Sequence, residues 1–446
     1  MNEKEIINDE QQSLIKLCKE VLEKNREDGF TKPAENLYPH QWLWDSCFVA
    51  IGLAEYDVPR AQQELRSLLR GQWSNGMLPH MIFKNGDEHK RDRNIWQSWR
   101  NPHAPDHLAT SGMTQPPMLA EAVVRIGEKL SKIERRAWYQ DMYPSLVQYH
   151  SWLFRERDPH NEGLVLLIHP WESGLDNSPP WIDQLHQHSR PWWVSMVDVL
   201  KLDKAFLLLR RDTKHVPPGQ RLSAIDSLLY FTVLQRLRRK NWDTDRILSR
   251  SHFSLQDLTF NCIFIRANEH LRKIAKEIGR ELPEEITVSH EKSKESLENC
   301  WDGFYKQYYS RTFITRKLVK EASIATLMPL YAGCITKERA AELVKLIHSK
   351  KQFAGEFPLP SVPFSSEWYK EHGYWQGPTW MNTNWLIADG LDRYGYSEEA
   401  RNIRAQSIKA AQQSGLYEYF SARDGSPAGA RNFSWTAALI IAFIKN

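Results

Sequence analysis

Two acidic loops carry the residue types from which sugar chemistry is built. The first is Trp171-Glu172-Ser173-Gly174-Leu175-Asp176-Asn177-Ser178-Pro179-Pro180-Trp181. Its Ser-Gly and Asn-Ser-Pro-Pro steps disfavour a regular helix or strand, so the carboxylates fall on a loop, where functional groups gather. Flat indoles match the C–H faces of a sugar. A carboxyl held beside a large apolar ring has a raised pKa, which suits a general acid. A surface loop with one structural Trp is the competing reading. The second loop runs Gly415-Leu416-Tyr417-Glu418-Tyr419-Phe420, through Asp424-Gly425-Ser426-Pro427, to Asn432-Phe433-Ser434-Trp435. Glu418 stands between two Tyr after a Gly that stops a helix. One acid on a Trp loop and another on a Tyr loop, far apart in sequence, is what glycoside hydrolysis needs. One protonates the leaving oxygen and the other acts from the opposite face of the sugar.

The elements that must position these loops are helices. Apolar residues recur at three- and four-residue spacing over Asp9–Leu22, Trp44–Leu53, Pro59–Gly71, Gln115–Ile126 and Ile133–Phe154. The same spacing recurs over Trp193–Leu209, Leu222–Arg239, Leu255–Ile278, Ser289–Trp301, Ser323–Leu330, Lys337–Ser349, Trp380–Tyr394, Ser397–Gly415 and Ser434–Ile444. Ser397 and Thr336 read as helix caps and Gly415 as a stop. Strand signals are few and short, such as Leu164–Ile168. Between the helices run long Trp-, Pro- and Gly-rich connections, such as Gly71–Thr110 and Lys351–Thr379. Long connections inside a compact domain are usually functional, and these recur after roughly every second helix. The pattern predicts an all-α fold. A toroid of helix pairs carries the long loops on one face, in a single domain over residues 1–446. No fixed repeat supports an open solenoid. The ordinary, more basic stretch Leu200–Glu281 reads as a peripheral helical insertion.

Composition narrows the class. The chain has 446 residues with 18 Trp, and many of these neighbour Pro, Gly, Asn or Asp, which favours an aromatic-lined cavity over extra core. A net charge of +4 and the absence of a basic stripe argue against nucleic-acid binding. The scattered Cys18, Cys47, Cys262, Cys300 and Cys334 form neither a disulfide framework nor a zinc site. His186, His188 and His372 lack zinc spacing, so no metal or cofactor is expected. No apolar segment is long enough for a signal peptide or membrane span, which predicts a cytoplasmic enzyme acting on a small-molecule sugar, with homo-oligomerisation open.

Four segments, in order, resemble glycoside hydrolase family 63. Tyr38-Pro39-His40-Gln41-Trp42-Leu43-Trp44-Asp45-Ser46 is similar to its N-terminal Trp-Asp motif. Glu172 to Pro179 is similar to its general-acid loop. Tyr374-Trp375-Gln376-Gly377-Pro378-Thr379-Trp380, with Asn384, is similar to its Tyr-Trp-Arg-Gly-Pro-x-Trp segment. Tyr417-Glu418-Tyr419 to Trp435 is similar to its general-base loop. The likeness spans about Glu10 to the end and is nearest the short bacterial members, glucosylglycerate and mannosylglycerate hydrolases. It implies an (α/α)6 barrel and inverting hydrolysis of 2-O-α-D-glucosylglycerate, then mannosylglycerate, with Asp176 as acid and Glu418 as base. It also implies that Tyr38, Trp42, Trp44, Asp45 and Gln115 hold the sugar. Trp171, Trp375 and Trp380 would wall the pocket, and Arg221 would face inward. Gly174 and Tyr374 belong to the matched loops.

Gln376 departs from the family's Arg and cannot supply that charge for a carboxylate. His80, Tyr374, Gln376 and Arg423 are then the candidate donors for a glycerate. The departure keeps neutral α-glucosides and trehalose-like disaccharides open as substrates. Other residues carry non-chemical readings: Asp45 as a helix cap, Glu172 as a residue that orients the acid loop, Trp73 as core, Asp183 and Asp302 as structural. A phosphorylase and a non-catalytic sugar-binding toroid remain the rival functions.

Overall fold

The computed structural model describes residues 7–189, 191–199, 215–250 and 253–445. Helices dominate, and the extended segments pair only as short two-stranded ribbons. Twelve helices organise the molecule. They are α1 (Asp9–Lys24), α2 (Leu43–Leu53), α3 (Val58–Leu69), α4 (Leu119–Glu128), α5 (Lys132–Arg157) and α6 (Leu258–Ile278). After these come α7 (Glu284–Ser296), α8 (Pro329–Ala332), α9 (Lys337–His348), α10 (Met381–Arg393), α11 (Ser397–Ser414) and α12 (Ser434–Lys445).

Their contacts close a ring: α2 touches α4, α4 touches α6, and the chain of contacts continues through α8, α10 and α12 back to α2. An outer set backs it, with α3 on α2, α5 on α4 and α6, α7 on α6, α9 on α8, α11 on α10 and α1 on α12. Sequence explains the two layers. Every residue of α2 is buried, and α12 reads Ser-Trp-Thr-Ala-Ala-Leu-Ile-Ile-Ala-Phe, apolar on all sides, as a helix enclosed by others must be. The outer α11 buries only Ala400, Ile403, Ser407, Ala410 and Ala411, a stripe at three- and four-residue spacing. Small residues let inner helices approach closely: a Cβ on Gly52 of α2 would lie 2.3 Å from the Ala438 carbonyl oxygen of α12.

Most expected helices form within a few residues of their predicted ends. Thr336 caps α9 through its side chain, and Gly415 ends α11 at φ 85°. Ser397 is the first residue of α11 and not its cap. Leu164–Ile168 is not a strand. It makes one bridge, Leu167 to Leu255, while the amides of Val165, Leu166 and Ile168 go to the Asn261 side chain, the Arg157 carbonyl and the Glu172 carboxylate. A wholly buried apolar run has no periodicity to separate these outcomes. Leu200–Glu281 is not all peripheral, since α6 within it belongs to the inner ring. The part of the Trp193–Leu209 expectation beyond Val199 lies outside the described residues, as do the side chains of Asp183 and His188. Pro179-Pro180 opens a helix, Pro179–Ser189, because proline suits a first turn whose N–H groups are free. Among the described residues, no helix is long and apolar enough to cross a membrane.

Candidate active site

The long loops meet over one end of the ring around a tight cavity. It is lined by Tyr38, Trp42, Trp44, Asp45, Gln115, Gly174, Asp176, Tyr374, Trp375, Trp380 and Glu418, together with Pro33, Phe433 and Trp435. Its free space is about 60 Å³, room for some five waters at roughly 10–15 Å³ each. That is the scale of one sugar ring with its hydroxyls. A wider surface cleft of about 680 Å³, lined by Lys350, Lys351, Phe364 and Arg423, contains Glu356 as its lone carboxylate and no Trp platform.

Local chemistry holds the acid loop. His169 accepts the Trp171 N–H at Nδ1 (3.1 Å), so its Nε2 carries the proton that reaches the Tyr230 carbonyl (3.0 Å). Burial keeps this imidazole neutral by pushing its pKa down to about 3. Glu172 has four donors: both arms of Arg157 (2.8 and 3.2 Å) and the amides of Thr114 (3.2 Å) and Ile168 (2.8 Å). It therefore ties the acid loop to the Gln115 loop, as the orienting reading expected. Replacing it with Gln leaves Arg157 buried without a counter-charge. We expect a loss of about 3–5 kcal/mol in denaturant unfolding. Asn177 staples the same loop to the Tyr374 segment, donating to the Gly373 carbonyl (3.0 Å) and accepting the Trp375 N–H (2.7 Å). Gly174 sits at φ 71°, and a Cβ there would lie 2.5 Å from Trp44 Cζ2. Gly174→Ala should therefore push Trp44 into the cavity and raise KM, with about 1–3 kcal/mol lost from overpacking and strain. An unchanged KM would refute that placement.

Asp176 is half-buried, opening onto the cavity. Burial pushes its pKa up to about 7, against a hydrogen bond from the Tyr374 hydroxyl to Oδ2 (3.0 Å) and the field of Arg221. Tyr374 holds φ 66°, an uncommon conformation for a non-glycine that concentrates at functional sites. Tyr230 donates to the Asp176 carbonyl, which fixes the backbone.

Glu418 is buried on the ribbon Tyr417–Phe420/Pro427–Arg431. Pairing shifts register between Tyr417 and Tyr419, so Gly429 and Ala430 face Glu418 alone. That bulge frees the Ala430 N–H to donate to Oε2 (2.8 Å). Arg221 grips both carboxylate oxygens (3.0 and 2.5 Å), and the Tyr38 hydroxyl donates to Oε1 (2.9 Å).

Asp45 lies inside α2 and does not cap it; Trp42 holds the cap position. Among the described residues, no other residue donates to its carboxyl, which faces the cavity. Burial, then the Glu418 charge, raise its pKa well above the ordinary range. Gln115 accepts the Trp44 N–H at Oε1 (3.4 Å), leaving its amide N–H groups for a ligand. Trp375 and Trp380 stack at 3.8 Å and 4° as the floor, while the indole N–H groups of Trp42 and Trp435 find no partner among the described residues.

Some expected residues lie off the cavity. Trp171 packs on Trp96 (6.1 Å) and His169 (4.7 Å) in an aromatic wall beside it. Gln376 is buried with its Oε1 accepting from Lys370 Nζ (3.3 Å). Asn384 is structural, bridging Leu359, Thr379 and the Trp380 carbonyl. Trp73 is buried, with its indole on Thr110 (2.9 Å). Asp302 accepts two turn amides and pairs with Lys320. Pro33, Phe433 and Trp435 were not assigned from sequence, although Phe433 and Trp435 sit in the motif that flagged Glu418.

His40, His89 and Asp92 bring potential ligand atoms within 4.8 Å. The Lys84 N–H, however, points at His40 Nδ1 (3.2 Å), so the neutral ring carries its proton on Nε2, which faces Asp92 (3.4 Å). That nitrogen has no lone pair for a metal, and the group reads as a hydrogen-bonded clasp between two loops.

Residues 38–436 match the family described as the mannosylglycerate hydrolase MGH1-like glycoside hydrolase domain. The chain belongs to this family. The mannosylglycerate hydrolase of Thermus thermophilus is 36% identical to it over 95% of this chain and 98% of that one. The glucosylglycerate hydrolase of Mycolicibacterium hassiacum is 30% identical over 94% and 95%. A crystal structure of GH63 mannosylglycerate hydrolase from Thermus thermophilus, in complex with Tris and D-glycerate, superposes with a TM-score of 0.85. It is 34% identical and covers 96% of this chain and 99% of its own. Family membership makes the protein a glycoside hydrolase.

Proposed function

We propose that this glycoside hydrolase cleaves small α-glycosides of glycerate with inversion, and that residues 1–446 form one (α/α)6 barrel carrying the site on one face. The closed ring of six inner helices, each backed by an outer one, supports the barrel. One observation carries the chemistry: Asp176 and Glu418, on loops far apart in sequence, face the same single-ring cavity. Asp176, protonated up to about pH 7, gives its proton to the glycosidic oxygen. Glu418, held by a guanidinium, a phenol and an amide, is surrounded by donors suited to a carboxylate and takes a proton from water. Water attacks the anomeric carbon from the face opposite the leaving glycerate. Asp45 and Gln115 take sugar hydroxyls over the Trp375 floor. Inversion calls for carboxyl groups roughly 6.5–9.5 Å apart, with the water between them and the sugar.

Glycerate is favoured as aglycone by the relatives named above. Mannose is placed ahead of glucose because the mannosylglycerate hydrolase is the more similar of the two, 36% against 30%. Gln376 in place of Arg keeps neutral α-glucosides as the second reading. Substrate consumption and release of free sugar should be assayed with mannosylglycerate, glucosylglycerate, trehalose and a neutral α-glucoside, with and without phosphate. Turnover of a glycerate glycoside independent of phosphate is expected. Turnover of the neutral sugars alone would move the substrate, and strict phosphate dependence would make the protein a phosphorylase.

A further inference from the structure

The base is covered. A carboxylate offers about four lone-pair positions. On Glu418 all are taken: Oε1 accepts from Tyr38 (2.9 Å) and Arg221 Nη1 (3.0 Å), and Oε2 accepts from Arg221 Nη2 (2.5 Å) and the Ala430 amide (2.8 Å). A general base has to present a lone pair to water, so one donor must leave. Ala430 is fixed by the bulge. Tyr38 is itself held, accepting from Arg221 Nη1 at 2.6 Å.

Arg221 is the detachable donor. It stands outside any helix, in extended backbone after the turn Pro218–Gln220. Its Nε–H is buried without a partner among the described residues. Its guanidinium lies between two rings, 5.6 Å from Tyr38 and 5.0 Å from Tyr374, and Tyr374 is the phenol on Asp176. The charge therefore spans from the base to the acid's side of the cavity, and Asp176 feels it. In a 2-O-glycosylglycerate, one carbon bears both the glycosidic oxygen and the carboxylate. When that oxygen meets Asp176, the carboxylate lies next to Tyr374 and so within the reach of Arg221.

We propose that Arg221 is a mask on Glu418 that the substrate's own carboxylate lifts. Building on the glycerate reading above, the bound substrate exchanges one carboxylate for another on the guanidinium. Arg221 keeps an ion pair throughout, and the uncovered Glu418 carboxylate keeps the Tyr38 and Ala430 hydrogen bonds. Removal of Arg221 from Oε1 opens a lone pair there. Water gives a proton to Oε1 as its oxygen bonds the anomeric carbon, and the bond to the glycerate oxygen breaks as Asp176 delivers its proton. A neutral glycoside fits the sugar pocket but leaves the base covered, so discrimination falls on kcat and not on KM.

The test compares wild type, Arg221→Ala and Arg221→Lys on mannosylglycerate or glucosylglycerate, on the matching glycosylglycerol and on an aryl α-glycoside. Values of kcat and KM are read across pH and compared at each variant's optimum. Wild type should turn the glycerol glycoside over at least about tenfold slower in kcat than the glycerate glycoside. Arg221→Ala should raise kcat severalfold on both neutral glycosides while lowering kcat/KM on the glycerate glycoside. Arg221→Lys, which keeps charge but not the two-armed grip, should fall between and guards against a folding defect in the Ala variant. Loss of turnover on neutral and charged glycosides alike would overturn the mask and make Arg221 a support of the base. Failure of wild type on both glycerate glycosides would instead sink the substrate reading, and the neutral arm would still decide the mask.

Discussion

Glu418→Gln should lower kcat by about 10³–10⁴-fold, equivalent to roughly 4–5.5 kcal/mol of barrier, with little change in KM. The amide keeps the shape and can still accept at Oε1, but it cannot take a proton from water. The variant also leaves Arg221, which is buried, facing a neutral group, so the protein should unfold at lower temperature than wild type at every pH where the carboxylate would be charged. Glu418→Ala opens space on the water side. Azide should restore turnover there and yield the β-glycosyl azide, because an anionic nucleophile needs no base. Rescue giving the α-azide, or an activity loss under tenfold, would remove Glu418 from the base role.

Asp176→Asn should cost a similar factor on glycerate glycosides but move stability the other way. The folded carboxyl titrates near 7 because burial disfavours its charge, against 3.8 in the unfolded chain. Between those values the folded state holds a proton that the unfolded state has released. Wild-type stability therefore falls as pH rises from about 4 to 7 and stays lowered above. Asn carries no such penalty. The variant should match wild type below pH 4 and exceed it by on the order of 1 kcal/mol or more at pH 8, read by thermal unfolding. Wild-type kcat/KM should decline above about pH 7 as the acid ionises. On an aryl α-glycoside, whose leaving group departs without a proton, the loss from Asp176→Asn should shrink at least tenfold. An equal loss on both substrates would contradict a general-acid role.

Both acidic loops were legible in the sequence because Trp, Gly and Pro interrupt helical spacing where the chain turns over the ring. The signal faded where a residue's role depends on contacts distant in sequence. Glu172 and Arg157 form a buried pair that no local pattern announces. Arg221 reaches Glu418 across 197 positions, and only its family likeness drew attention to it. Asp45 looked able to cap α2, and only the helix's true start, two residues earlier at Leu43, turns its carboxyl into the cavity. The inner helix α6 reads like its surroundings because enclosure within the ring is a property of its neighbours. Gln376 looked placed to meet the substrate, yet its burial against Lys370 depends on how the Tyr374 loop folds back.

The most direct test of the account is a proton NMR time course with mannosylglycerate and, in parallel, glucosylglycerate. β-Mannose or β-glucose should appear first and relax later to the anomeric mixture, with glycerate released in step. First appearance of the α anomer would contradict it, because retention requires a nucleophilic carboxylate about 5 Å from the acid and leaves no place for a water held by Glu418.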